Sequence, residues 1–270
     1  MNLKECIELL KKINVPCDDD GVVFTKTDKL DFIESELRGT EWIKKDGGIY
    51  HMYTKKPLEE MPAPVLLLSS HADFVSDITE PFSEETEDGK FLHGTYDNSI
   101  TNAALLSLML ENRLPDNAAV VFTGNEEKHF FGAISAGEDL KKAKKKFRVI
   151  VLDVSAEGWD EGCHFTIENN FWGNRWGLAV IRAAEKTRYS YQFAAVDQKH
   201  IPSYVPFERL AGNASEPDES WAYDEELQAE AFSLCIPVSG DMHSDEGVLA
   251  RPESFMAYRE AIAAIAAIPL

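Results

Sequence analysis

The chain has 270 residues, 44% of them hydrophobic and 27% charged, an ordinary globular composition that excludes wholesale disorder and allows one large domain or two small ones. Its 27 Lys+Arg stand against 47 Asp+Glu, and a net charge of −20 argues against binding bulk nucleic acid or an anionic membrane surface. No apolar run approaches the ~18 residues of a membrane span, and Cys6, Cys17, Cys163 and Cys235 form no CxxC pair, so reduced thiols and a cytoplasmic location are expected.

Residues 2–13 put Leu3, Ile7, Leu10 and Ile13 near one helical face, an amphipathic helix rather than the apolar core of a signal peptide. Thr27 is expected to cap a second helix that runs to about Arg38 and closes at Gly39. Trp42–Lys45, the Asp46-Gly47-Gly48 turn and Ile49–Tyr53 read as a hairpin. PVLLLSS (64–70), AAVVFTG (118–124) and FRVIVLDV (147–154) are apolar on both faces, as central strands of a parallel or mixed sheet must be. Residues 98–112 and 176–186 predict helices, as does the charged GEDLKKAKKK, whose lysines read as a solvated face. A strand is expected over Tyr191–Val196, a long loop region over 197–230, and a last helix from Pro252 to about Ala266. Alternating strands and helices give an α/β fold, a three-layer α/β/α sandwich around a mixed, mostly parallel sheet.

In open α/β sheets ligands bind beyond the carboxyl ends of the strands. After PVLLLSS come His71 and Asp73, after VVFTG come Glu126 and Glu127, RVIVL ends in Asp153, and His243 follows SLCIPVSGD shortly. Asp97 precedes the helix at 98. Singly, each has a bland reading: a loop histidine, a surface glutamate pair, an Asp97 that merely caps its helix. Jointly they suggest metal. Two imidazoles and three carboxylates can hold two zinc ions if one carboxylate bridges. Asp73 can fix the tautomer of His71, and of the adjacent Glu126 and Glu127 one can bind metal while the other serves as general base.

His71-x-Asp73, GTYDN, TGNEE, LDV and HSDEG, in that order, resemble the dinuclear zinc exopeptidases, a group spanning zinc aminopeptidases, glutamate-carboxypeptidase-like and aminoacylase-like hydrolases. The resemblance runs from about residue 60 to the C-terminus. It implies that Asp97 bridges two zinc ions, that His71 and Asp153 complete one site and Glu127 and His243 the other. Glu126 would be the general base and Asp73 the partner of His71. It also implies a cis peptide between Asp97 and Asn98. Mn²⁺ or Co²⁺ can occupy such ligands. Two departures bear on the branch. Lys128-His129-Phe130-Phe131 stands where relatives carry a Gly-rich segment, and the stretch between Asp153 and His243 leaves no room for an inserted dimerisation domain. DESWA (218–222) resembles the acidic segment of the single-domain aminopeptidase branch. The expectation is thus one zinc-peptidase catalytic domain over 1–270.

The leading reading is an aminopeptidase acting on a peptide or small amide substrate. A carboxypeptidase or N-acyl-amino-acid amidohydrolase would use the same site and want an arginine, for which Arg175 and Arg209 are candidates. A non-catalytic binding protein on a peptidase fold is the reading from another class, and glutaminyl cyclisation at a mononuclear site is a fourth. His200, Tyr204 and His129 are candidates to assist an oxyanion. The sequence carries no signal for an oligomeric state.

Overall fold

A computed structural model describes residues 1–75, 78, 80–168, 174–195, 205–211 and 218–269. Strands are β1 (Asp18–Asp19), β2 (Phe24–Lys26), β3 (Ile43–Asp46), β4 (Tyr50–Thr54), β5 (Val65–His71), β6 (Ser83–Glu85), β7 (Leu92–Gly94), β8 (Ala118–Thr123), β9 (Phe147–Ser155), β10 (Phe165–Glu168), β11 (Tyr191–Ala194), β12 (Glu230–Gly240) and β13 (Val248–Ala250). Helices are α1 (Leu3–Ile13), α2 (Asp28–Leu37), α3 (Ser99–Leu110), α4 (Phe131–Lys142), α5 (Asn174–Thr187), α6 (Glu219–Trp221) and α7 (Pro252–Ala266).

The central strands β8, β5, β9 and β12 are mutually parallel. Antiparallel strands extend the sheet on both sides, β4 and β3 beyond β8 and the β13-β7-β6 ribbon from the far end of β12, so the sheet is mixed with a parallel centre. The parallel strands are buried along β5 and β8 and along all but the ends of β9 and β12, because both faces are covered. Leu66, Leu68, Val120, Phe122, Ile150 and Leu152 face a core shared with α1, α3, α5 and α7. Leu67, Val121, Val149 and Val151 face the opposite core, closed by α4 and Tyr223. Helix α3 is buried on every side, which its run of Ala, Leu, Ser and Thr allows.

Three details depart from the sequence reading. Thr27 does not cap α2 through its side chain; its hydroxyl donates to the Asp31 carboxylate at 2.9 Å instead. The charged helix begins at Phe131, six residues before Gly137, so its first turn is apolar and packs on the sheet. The expected loop over 197–230 ends in helix: α6 runs into a π-helical turn, Ala222–Glu226, that buries Tyr223. Among the described residues no helix is long and apolar enough to cross a membrane.

Candidate metal centre

The parallel strands β5, β8, β9 and β12 present their carboxyl ends to one rim, and all seven residues expected at a metal site lie along it. His71 is the last residue of β5, and Asp153 sits near the end of β9. Glu126 and Glu127 occupy the turn after β8, and His243 the turn after β12. Asp97 precedes α3, and its peptide bond to Asn98 is cis. Asp97 does not cap the helix. Asn98 takes the cap position without a side-chain cap bond and donates to the Leu152 carbonyl at 2.7 Å.

Asp97 is the centre of the arrangement. Its Oδ1 is 2.9 Å from His71 Nε2 and its Oδ2 is 3.5 Å from His243 Nε2. His71 Nε2 also lies 3.6 Å from Asp153, and His243 Nε2 lies 3.6 Å from Glu127. Two triads result, His71–Asp97–Asp153 and Asp97–Glu127–His243, each with ligand atoms within 4.8 Å of one another. A third group adds Glu126 beside His71 and Glu127. Asp73 lies on the other side of the His71 ring, 3.5 Å from Nδ1.

The electrostatics of this cluster call for cations. Burial pushes Glu126 well above the ordinary carboxylate range, and burial with repulsion from Asp97 lifts Glu127 to about 8. Burial likewise raises Asp153 to about 6. The histidines move to compensate. His71 is held well above its usual value by Glu126, Asp153, Asp73 and Asp97 against the penalty of burial. His243 rises to about 9, chiefly through its contact with Asp97. Asp97 stays ionised well below the usual range despite burial, because both imidazoles face it. Carboxylates outnumber imidazoles, and Glu127 Oε1 and His71 Nδ1 are buried without a hydrogen-bond partner. Paired imidazole and carboxylate donors with an orphaned carboxylate oxygen are the donor set that Zn²⁺ and similar ions accept.

The centre opens into a cavity of about 380 Å³. Glu157, Glu168 and Asp218 line it, and none of them was singled out from the sequence as a site residue. Glu168 ends β10, which runs antiparallel to β12, so the rule that finds ligands beyond the carboxyl ends of the parallel strands does not reach it. Burial raises its pKa to about 7. Glu219 lies beneath the rim, fully buried, accepting from Ser69 at 2.8 Å and from Thr123, with a pKa lifted by burial to about 7. The Lys29 ammonium is fully buried, 3.9 Å from the Phe74 ring centre, and burial lowers its pKa to about 8. A buried lysine looks like a surface residue in a sequence, and Glu219 entered only as part of the DESWA segment, with no role of its own.

Other candidates fall away from the cavity. His129 is exposed and packs against Phe131, ring centres 5.2 Å apart, rather than lining the cavity. The Arg209 guanidinium sits 4.1 Å from the Tyr191 ring and donates to the Tyr191 carbonyl. His200, Tyr204 and the Arg175 side chain lie outside the described residues. His51, His93 and His164 serve structural contacts, to Asp46, to Glu84 and the Glu246 carbonyl, and to Ser190. All four cysteines are buried and unpaired as disulfides.

No family model and no curated protein matches the sequence. Solved structures do match the fold. An aminopeptidase, APDkam598, from the archaeon Desulfurococcus kamchatkensis superposes with a TM-score of 0.69 at 12% identity, over 97% of this chain and 94% of the other. The TET1 peptidase of Pyrococcus horikoshii, which can assemble into a tetrahedron or a large octahedral shell, gives 0.67 at 12% identity over 98% and 99%. A zinc aminopeptidase from Bacillus subtilis gives 0.54 at 14% identity, over 80% of this chain and 48% of that one. The three-layer fold is thus the one these peptidases share.

Proposed function

We propose that this chain is an aminopeptidase dependent on two divalent metal ions, zinc foremost, with Mn²⁺ or Co²⁺ able to take the same ligands. The observation that carries it is the pair of triads sharing Asp97 on the carboxyl rim of the sheet. In this reading Asp97, shared by both triads, would be held in common by the two ions, His71 and Asp153 would complete one position, and Glu127 and His243 the other. The likeness in fold to solved aminopeptidases supports this reading. The whole of 1–270 then works as one catalytic domain, and four buried thiols fit a reducing cytoplasm.

When bound, the ions supply Lewis acidity that polarises a carbonyl and acidifies a shared water. The protein's own groups do the rest. Glu126, half-buried beside His71, accepts the proton of the attacking water and passes it to the leaving amine. Asp73 faces Nδ1 of His71, which keeps the proton on that nitrogen and leaves Nε2 free as donor toward the centre. The free amino end of a peptide suits the cavity wall, where Glu157, Glu168 and Asp218 gather. Among the described residues lining the cavity Lys128 is the one lysine or arginine, and Arg209 is stacked on Tyr191. That favours an aminopeptidase over an enzyme that grips a substrate carboxylate.

The test is hydrolysis by the zinc-reconstituted protein of two panels, aminoacyl amides and N-acyl amino acids, with and without chelator. Aminoacyl amides should be cleaved and chelation should stop it. Cleavage of N-acyl amino acids alone would reject the aminopeptidase reading, and no cleavage with full metal loading would favour a binding protein.

A further inference from the structure

The turn that carries Glu126 and Glu127 is held by the N-terminal segment, a part of the chain outside the motifs that suggested its chemistry. The turn leaves β8 through Gly124 and enters α4 at Phe131, with Asn125 (φ +64°) and Phe130 (φ +56°) both left-handed. Such φ values are uncommon outside glycine and need support from the surroundings. On one side the Gly124 amide donates to the Ile49 carbonyl at 3.0 Å, and Gly132 donates back to Gly124 at 3.1 Å. On the other side stands Asp19, at the end of β1. Its Oδ2 accepts the Asn125 backbone N–H at 2.8 Å. Its Oδ1 accepts the Asn125 side-chain amide at 3.3 Å and the Gly21 N–H at 2.7 Å.

The ribbon of β1 and β2 also packs on the turn. A Cβ at Gly124 would meet the Phe24 ring at 2.7 Å and Asp19 Oδ2 at 3.3 Å, so the turn and the ribbon touch closely enough to require glycine there. Asp19 is half-buried, and it keeps its place beside Asp73 because peptide N–H groups hold its carboxylate.

We infer that Asp19 is a positioning residue for the reaction: its carboxylate fixes Asn125 in the left-handed conformation that aims Glu126 at the metal centre. The inference rests on Glu126 being the base. Asp19 touches neither substrate nor metal ligands in this arrangement; it acts through the backbone one residue before Glu126. Misplacing a reacting group by about 1 Å can cost ~10²-fold in rate, so the effect falls on turnover rather than on substrate binding.

The test uses the full chain reconstituted with zinc. Asp19→Ala should lower kcat on an aminoacyl amide about 10- to 100-fold, leave KM within about twofold, and leave two ions per chain. In a Glu126→Gln background the same change should cost less than about threefold, because residues that act through one another are not additive. Asp19→Asn keeps the size and one acceptor oxygen, so it should fold like the wild type and lose less activity than Asp19→Ala. Independently of activity, exchange of the Asn125 amide hydrogen should speed up at least about tenfold in Asp19→Ala. An equal loss of kcat in both backgrounds, or an unchanged kcat, overturns the inference. Unchanged Asn125 exchange overturns the bracing contact itself. A wild type inactive on every aminoacyl amide while Asn125 exchange still responds overturns the assigned reaction and leaves the brace standing.

Discussion

The two ends of the parallel strands carry cavities of nearly equal size and opposite character. At the carboxyl ends lies the space of about 380 Å³ walled by carboxylates and two histidines. At the amino ends, where β9 and β12 begin, a groove of about 400 Å³ is walled by Lys141, Lys145, Lys146 and Arg148. The lysines there behave as surface charge. The Lys145 ammonium donates to the carbonyls of Glu59 and Met61, and Arg148 pairs with Glu230. Nothing at that end forces like charges together out of water. At the other end His71, Asp97 and Asp153 are buried together, and their neighbours Glu126 and Glu127 are held toward the protonated form while the histidines are held toward the charged one. Size therefore does not mark the site. Burial of like charges does, because that arrangement costs free energy unless something binds.

Four experiments would break or sharpen this contrast. The largest effect is expected at Asp97. Asp97→Ala should empty both metal positions together and abolish hydrolysis, whereas His243→Ala should mainly empty one, as read by metal analysis after equilibrium dialysis. A wild type that never exceeds one ion per chain would refute the two-ion centre. Next comes Glu126→Gln, which keeps size and removes the base. It should lose ~10²- to 10⁴-fold in kcat with metal content nearly unchanged. If Glu126→Gln loses metal and Glu127→Gln keeps it, their roles are exchanged.

The third effect is one of stability and pH. Glu219 has its pKa raised from 4.5 to about 7 by burial. Across that window the folded chain keeps a proton that the unfolded chain has released. The stabilisation is complete below about pH 4.5 and is lost as pH rises through about 7. Glu219→Gln should match the wild type near pH 4.5 and exceed it by up to about 3 kcal/mol at pH 8 in urea unfolding of the metal-free protein. A difference that does not change with pH would mean that folding does not raise the pKa of this carboxyl. The smallest effect is expected at the other end of the strands. Lys141→Ala and Lys146→Ala should stay within about 0.5 kcal/mol of the wild type in stability and leave kcat/KM unchanged. A large loss in either would show that the basic groove has a role of its own.

Legibility in the sequence followed the same contrast. Strands β5, β8, β9 and β12 were readable because burial on both faces demands unbroken apolar runs. The residues at their ends were readable because the strand direction says where a ligand belongs. The three-residue strands β6, β7 and β13 are too short to show an alternation, and β10 escaped for the same reason, taking Glu168 with it. Asp19 was invisible because its role is to accept from a backbone amide 106 positions away, and a two-residue strand leaves no pattern. The burial of Glu219 and Lys29 was invisible because a charged residue type argues for the surface, and only the packed structure shows both fully covered.

The placement of β12 has a consequence for how the protein comes into being. It lies at one end of the four parallel strands, with β8 at the other, and follows the other three in the chain, so the turn bearing His243 reaches the rim only after the sheet has accepted the last of these four. A chain emerging from the ribosome can bring His71, Asp97, Glu127 and Asp153 together well before it can offer His243. The position completed by His71 and Asp153 is thus the first that can be filled. If two ions bind as proposed, the position that needs His243 fills only once the C-terminal part has docked, and its binding free energy would favour that last step of assembly.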